Sequence, residues 1–159
     1  MFASIYAFRG CEIVRLLLSD FDWTNMVSTV RRAKRGRVQQ FPIKSELSNG
    51  LLQYIKYARP QCSCQHLFIS LYPRHVPMCP GTVSTIVSER TKRLGISLAK
   101  MSPHSLRHAC ATELLRQGTS LQEIADFLGH RDSQCVGIYA KFNLKNLHHV
   151  SVLDPCVDL

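Results

Sequence analysis

Between Ser102 and Gly129 the chain reads SPHSLRHACATELLRQGTSLQEIADFLG, and its punctuation constrains folding more than any other stretch. Ser102 can accept a hydrogen bond from the open amides of a helix N-terminus, Pro103 suits the first helical position, and Gly118 ends the helix. Ser120 and Glu123 then form a capping box for LQEIADFL, which Gly129 terminates. Two consecutive helices with defined ends follow.

Upstream, Ile5, Phe8, Ile13, Leu16 and Leu17 recur at helical spacing and predict one helix or two short ones. MVSTVRRAKRGRVQQFPI predicts two short strands joined around Arg35-Gly36. Ser45 can cap a helix whose apolar stripe is Leu47, Leu51, Leu52 and Ile55. HLFIS is apolar but of open type, and GTVSTIVSERTKRLG predicts a helix stopped by Gly95. A last helix carrying SQCVGIYAKF follows Gly129. No repeat, low-complexity tract or linker interrupts the sequence. The expected fold class is therefore α+β in a single domain, mostly α-helical with a small antiparallel sheet.

The chain carries 20 basic and 11 acidic side chains, a net charge of +9, which favours a polyanionic partner. Placement sharpens this: RRAKRGR gathers five basic residues between Arg31 and Arg37, as in a phosphate-facing loop. The longest apolar clusters, around IVRLLL and LLQYI, are too short to span a bilayer. The opening MFASIYAFRGCE lacks the layout of a signal peptide, so a cytoplasmic location is expected. Seven cysteines, an odd number, are expected to be reduced there. Cys62, Cys64 and His66 in CSCQH do not have zinc-ribbon spacing, and no metal site is expected.

His104, Arg107 and His108 lie three and four positions apart and share one helix face, with Leu106 and Cys110 directed toward the core. The helix start adds amide donors and a positive dipole end. Two imidazoles beside a guanidinium would repel if charged, a conflict that an anionic ligand removes. Gly129 leaves His130 at a corner, with Tyr139 one short helix away. Taken singly, each has a plain reading: a histidine satisfied by its neighbours, a surface arginine, a packed tyrosine.

Together, HSLRH, then LGH, then IYAK resemble the active-site signature of the tyrosine recombinases, the phage integrase family. FRGCE resembles that family's first arginine motif, placing its arginine at Arg9 and its companion acid at Glu12. DFDWTNMVSTVRRAKRGRVQQFPI resembles the family's sheet segment, whose turn presents a catalytic lysine, here Lys34. The family has a glycine ahead of the apolar–arginine pair; here that position is Ala7, and Gly10 follows the arginine instead. The resemblance covers residues 1–145 and implies the catalytic domain of a mobile-element integrase. Residues 146–159 are left as a tail that could pack on a neighbouring copy or back in cis. The family's separate N-terminal DNA-clamp domain has no counterpart here, so a truncated chain is implied.

The resemblance implies site-specific recombination through a 3′-phosphotyrosyl bond made by Tyr139. Arg9 and Arg107 would clamp the phosphate, His130 would donate a further bond, and His104 would assist proton transfer at Tyr139. Lys34 would protonate the leaving 5′-oxygen, Glu12 would brace Arg9, and His108 would be a buried, hydrogen-bonded support. Arg31, Arg32, Arg35 and Arg37 would contact DNA phosphates. The expected partners are double-stranded DNA and further copies of the chain, as a tetramer on DNA, without cofactor or metal and associated with the nucleoid. The alternatives are an inactive truncated remnant, or a helix-turn-helix-like DNA binder suggested by SLQEIADFLGH. A histidine-based metal phosphodiesterase would need clustered carboxylates that the sequence lacks.

Overall fold

The computed structural model describes residues 1–33, 36–95 and 102–129. Read as one domain in sequence, the chain divides into two compact units, Met1–Arg107 and His108–Leu159.

The first unit opens with two one-turn helices, α1 (Phe2–Ile5) and α2 (Gly10–Ile13), rather than one long helix. The break has a local cause. Ala7 adopts φ 53°, in the left-handed region, and Arg9 is extended with ψ 150°. A single-turn 3₁₀ segment (Leu18–Asp20) leads into a three-stranded antiparallel sheet of order β1 (Phe21–Asp22), β2 (Val27–Arg31), β3 (Val38–Pro42). The register pairs Val30 with Gln39 and Arg31 with Val38, and Gly36 at φ 63° serves the turn between them. Strand alternation turns Ser28 and Val30 inward and Arg31 outward. On β3 the same parity buries Phe41 and leaves Val38 51% exposed, so position outranks hydrophobicity.

Helix α3 (Ser45–Gln53) continues as a π-type turn over Tyr54–Ala58. Its N-cap is Lys44, without a side-chain cap bond, so Ser45 is the first helical residue and not the cap. Leu47, Ser48 and Leu51 form the buried stripe, while Leu52 is 48% exposed. Leu52 lies about 100° around the helix from Leu51, which carries it off the face. HLFIS forms two isolated β-bridges, His66 with Leu17 and Ile69 with Pro77, with a bend between them. Leu67 N–H donates to Leu16 C=O at 2.8 Å, and Leu67 and Ile69 are fully buried.

The core of this unit is aromatic. Phe8 lies 5.8 Å from the Phe2 ring and 5.1 Å from that of Phe41, and Tyr6 donates its hydroxyl to Pro42 C=O at 2.6 Å. Helix α4 (Pro80–Arg93) ends before Gly95, which has φ 70°. Helix α5 (Pro103–Arg116) begins where its signals predict, with the Ser105 N–H donating to Ser102 Oγ at 3.3 Å.

The second unit holds the rest of α5 and α6 (Leu121–Leu128). Gly118 takes φ 86°, and Ser120 and Glu123 form the reciprocal capping box: Glu123 N–H donates to Ser120 Oγ at 3.3 Å, and Ser120 N–H to Glu123 Oε2 at 2.9 Å. Gly129 closes α6 in the left-handed conformation. Ala111, Ile124, Ala125 and Leu128 are its buried apolar residues among those described. The expected helix carrying Tyr139 and the tail lie outside the described residues.

Candidate active site

Arg9 stands at the N-cap of α2, and Glu12 one turn on folds back beneath it. Glu12 Oε2 accepts the Arg9 N–H at 2.8 Å, and Oε1 accepts from Arg9 Nη1 at 2.8 Å. The same carboxylate accepts from Arg32 Nη1 at 3.1 Å and from the Ala33 N–H at 3.1 Å. Burial alone would push the Glu12 carboxyl above its ordinary range. The amides of Arg9 and Ala33 and the Arg32 and Arg9 guanidiniums outweigh that and hold it below. One buried carboxylate thus joins the first arginine motif to the end of β2.

Arg32 corrects an expectation. Its side chain is buried, with the guanidinium carbon 5.2 Å from the Phe8 ring centre and 5.1 Å from that of Phe41, and with Nε donating to Gln39 Oε1. It is therefore no phosphate contact. Desolvation lowers its pKa, and Glu12 opposes that by favouring the charged form. The signal that would have found it is the strand parity: Ser28 and Val30 face inward, and the next residue in that series is Arg32. Arg31, of opposite parity, is exposed; Arg37 is exposed as well, although it stands opposite Arg32 in the register and accepts the Arg32 N–H at its carbonyl at 2.8 Å. Lys34 and Arg35 lie outside the described residues.

Arg107 enters from the first turns of α5. Its Nη1 donates to the carbonyl of Ala7 at 2.6 Å, two residues before Arg9, and the residue is only 2% exposed. The two arginines are therefore anchored on one short segment, residues 7–12. Helix starts converge beside it. A Cβ added at Gly10 would stand 3.6 Å from the Pro80 carbonyl of α4 and 3.9 Å from Pro103 Cγ of α5. His104, in the first turn of α5, is exposed. Of the two guanidiniums, that of Arg9 keeps 20% of its side chain exposed, and a guanidinium can meet two phosphate oxygens in a plane.

The α5 face differs in detail from its sequence reading. Arg107 and Ala111 are the deeply buried positions, while Leu106 and Cys110 are half-buried. The Ala7 carbonyl draws the charged side chain inward, and Leu106 is left at the edge of an apolar cavity of about 570 Å³ shared with Phe2, Tyr54, Phe68 and Val87. His108 is half-buried rather than buried. Cys64 Sγ lies 3.7 Å from His66 Nδ1 with Cys62 exposed, and no group of three metal-ligating side chains occurs among the described residues. No helix among them is long and apolar enough to cross a membrane. His130 and Tyr139 lie outside the described residues.

Comparison with known proteins decides the family. Residues 1–145 match the model of the phage integrase family. The chain belongs to the phage integrase family. Among curated relatives of this integrase-family chain, the integrase/recombinase y4rA of Sinorhizobium fredii is 34% identical over 149 residues, covering 92% of this chain and 36% of that protein. Tyrosine recombinase XerA of Pyrococcus furiosus is 30% identical over 140 residues, covering 87% of this chain and 47% of XerA. The chain thus spans between a third and a half of these two relatives. A crystal structure of XerA recombinase superposes with a TM-score of 0.78 at 26% identity, over 98% of this chain and 57% of that one. XerH recombinase, solved in a post-cleavage complex with its difH substrate, shares the fold with a TM-score of 0.74 at 21% identity, over 95% of this chain and 44% of that one. The architecture is that of the tyrosine recombinase catalytic domain.

Proposed function

We propose that this chain is the catalytic part of a site-specific DNA recombinase in which Tyr139 attacks a phosphodiester. The observation that supports it most is the anchoring of Arg9 and Arg107 on one segment, the first by Glu12 and the second by the Ala7 carbonyl. Relatives solved on DNA point the same way: XerH on difH, and the Tn1549 transposon integrase with a circular intermediate DNA.

In this reading the Tyr139 oxygen bonds to phosphorus, the bond to the 5′-oxygen breaks, and a 3′-phosphotyrosyl link remains. A phenol has an intrinsic pKa of about 10, so few tyrosines are ionised at neutral pH. His104 takes the phenolic proton and Lys34 protonates the departing oxygen. Arg9, Arg107 and His130 stabilise charge on the non-bridging oxygens, and removing one such donor is expected to slow cleavage by about 10²–10³-fold. A 5′-hydroxyl from a second strand reverses the step, and the covalent link conserves the bond energy without a nucleotide cofactor. Copies of the chain would assemble as a tetramer on DNA, the tail of each available to its neighbour.

A nicked suicide substrate tests this. The chain should form a DNA adduct that survives boiling in detergent, with EDTA present, and Tyr139→Phe should form none. A shift of DNA mobility without adduct would favour the non-catalytic binder, and loss of the adduct with EDTA would favour a metal enzyme.

A further inference from the structure

Resting on that reading, we propose that Arg32 is a positioning residue for the cleavage step. It shares the charge of Glu12, so that Arg9 keeps its own for the scissile phosphate, and it ties α2 to the turn that carries Lys34.

The arrangement is asymmetric. Glu12 faces two guanidiniums, one on each carboxylate oxygen, at 2.8 Å from Arg9 and 3.1 Å from Arg32. The Arg32 and Glu12 side chains are fully buried, whereas that of Arg9 is 20% exposed. Glu12 is shared between two cations, and of these three side chains Arg9 alone has surface to offer a ligand. Were Glu12 paired with Arg9 alone, the pair would be neutral and would attract an anion weakly. Arg32 is also held more rigidly than a counter-ion needs to be, against the rings of Phe8 and Phe41 and on the Gln39 amide. Phe8 precedes Arg9, and the Ala33 amide on Glu12 precedes Lys34. A shift of Arg32 would therefore reach both ends of the phosphate site.

The test separates a charge-sharing role from a plug in the core. Single-turnover cleavage of the suicide substrate is measured alongside DNA affinity for Arg32→Met, Arg32→Lys and the double variant Arg32→Met/Glu12→Gln, with thermal melts as a fold control. Arg32→Met should cleave about 10–100-fold more slowly at little-changed affinity, less than the cost of deleting a phosphate donor. The double variant should recover about threefold or more of that loss, because no carboxylate remains to neutralise Arg9. A core plug predicts a double variant as slow as the single, or slower, and that result would overturn the proposal. If Arg32→Met does not fold, Arg32→Lys decides: it keeps the charge and should stay within about fivefold of the parent. A folded Arg32→Lys as impaired as Arg9→Ala overturns charge sharing. A parent chain without adduct overturns the recombinase reading and this inference with it, whereas an active parent matched by Arg32→Met overturns this inference alone.

Discussion

Glu12 accepts four hydrogen bonds in a place closed to solvent, and its protonation is therefore linked to folding. Its folded pKa lies below the unfolded one, near about 4.3 for a glutamate. The stabilisation is thus complete above the unfolded value and is lost as pH falls through the folded one. Urea unfolding between pH 3 and pH 8 should show an acid limb that flattens in Glu12→Gln. At neutral pH that variant should lose about 3–5 kcal/mol, since Arg32 keeps its buried charge without a counter-ion. An unchanged acid limb would mean that another carboxylate governs it. Ala7 shows a different residue-scale economy. It occupies a left-handed conformation where the family places glycine, and its carbonyl is the one that receives Arg107. The strain of an alanine there is about 1 kcal/mol, small enough for the surrounding aromatic packing to offset.

At the scale of elements, the β2–β3 hairpin sorts its basic residues by burial. Arg31 and Arg37 are exposed and Arg32 is buried, so their effects on DNA binding should differ in kind. Arg31→Ala and Arg37→Ala should each reduce the slope of log affinity against log salt by about one, whereas Arg32→Met should leave the slope unchanged. Equal slopes for all three variants would remove the argument from burial. The helix boundaries around α5 and α6 were legible because Ser102, Pro103, Gly118, Ser120, Glu123 and Gly129 act on their own backbone, within a few residues. Arg32 was not, because its neighbours Glu12, Phe8 and Gln39 come from other elements, and a run of basic residues reads as a solvated loop until strand parity is applied. Ser45 and Leu52 misled for the same reason. A cap and a stripe look alike one residue apart, and tertiary packing settles the phase.

Across the whole molecule, residues scattered from 9 to 139 were legible as one site only through their order along the chain. Of that set the structure brings together Arg9 with Glu12, and Arg107 with the backbone two residues before Arg9. Net charge of +9 supports a polyanionic partner but carries no chemistry of its own. The chemistry depends on which atom becomes joined to DNA. Peptide mapping by mass spectrometry of the chain trapped on a suicide substrate reads that atom directly. The account predicts a nucleotide adduct on the peptide holding Tyr139, linked through the DNA 3′-phosphate; an adduct on any other residue, or one joined through a 5′-phosphate, would contradict it.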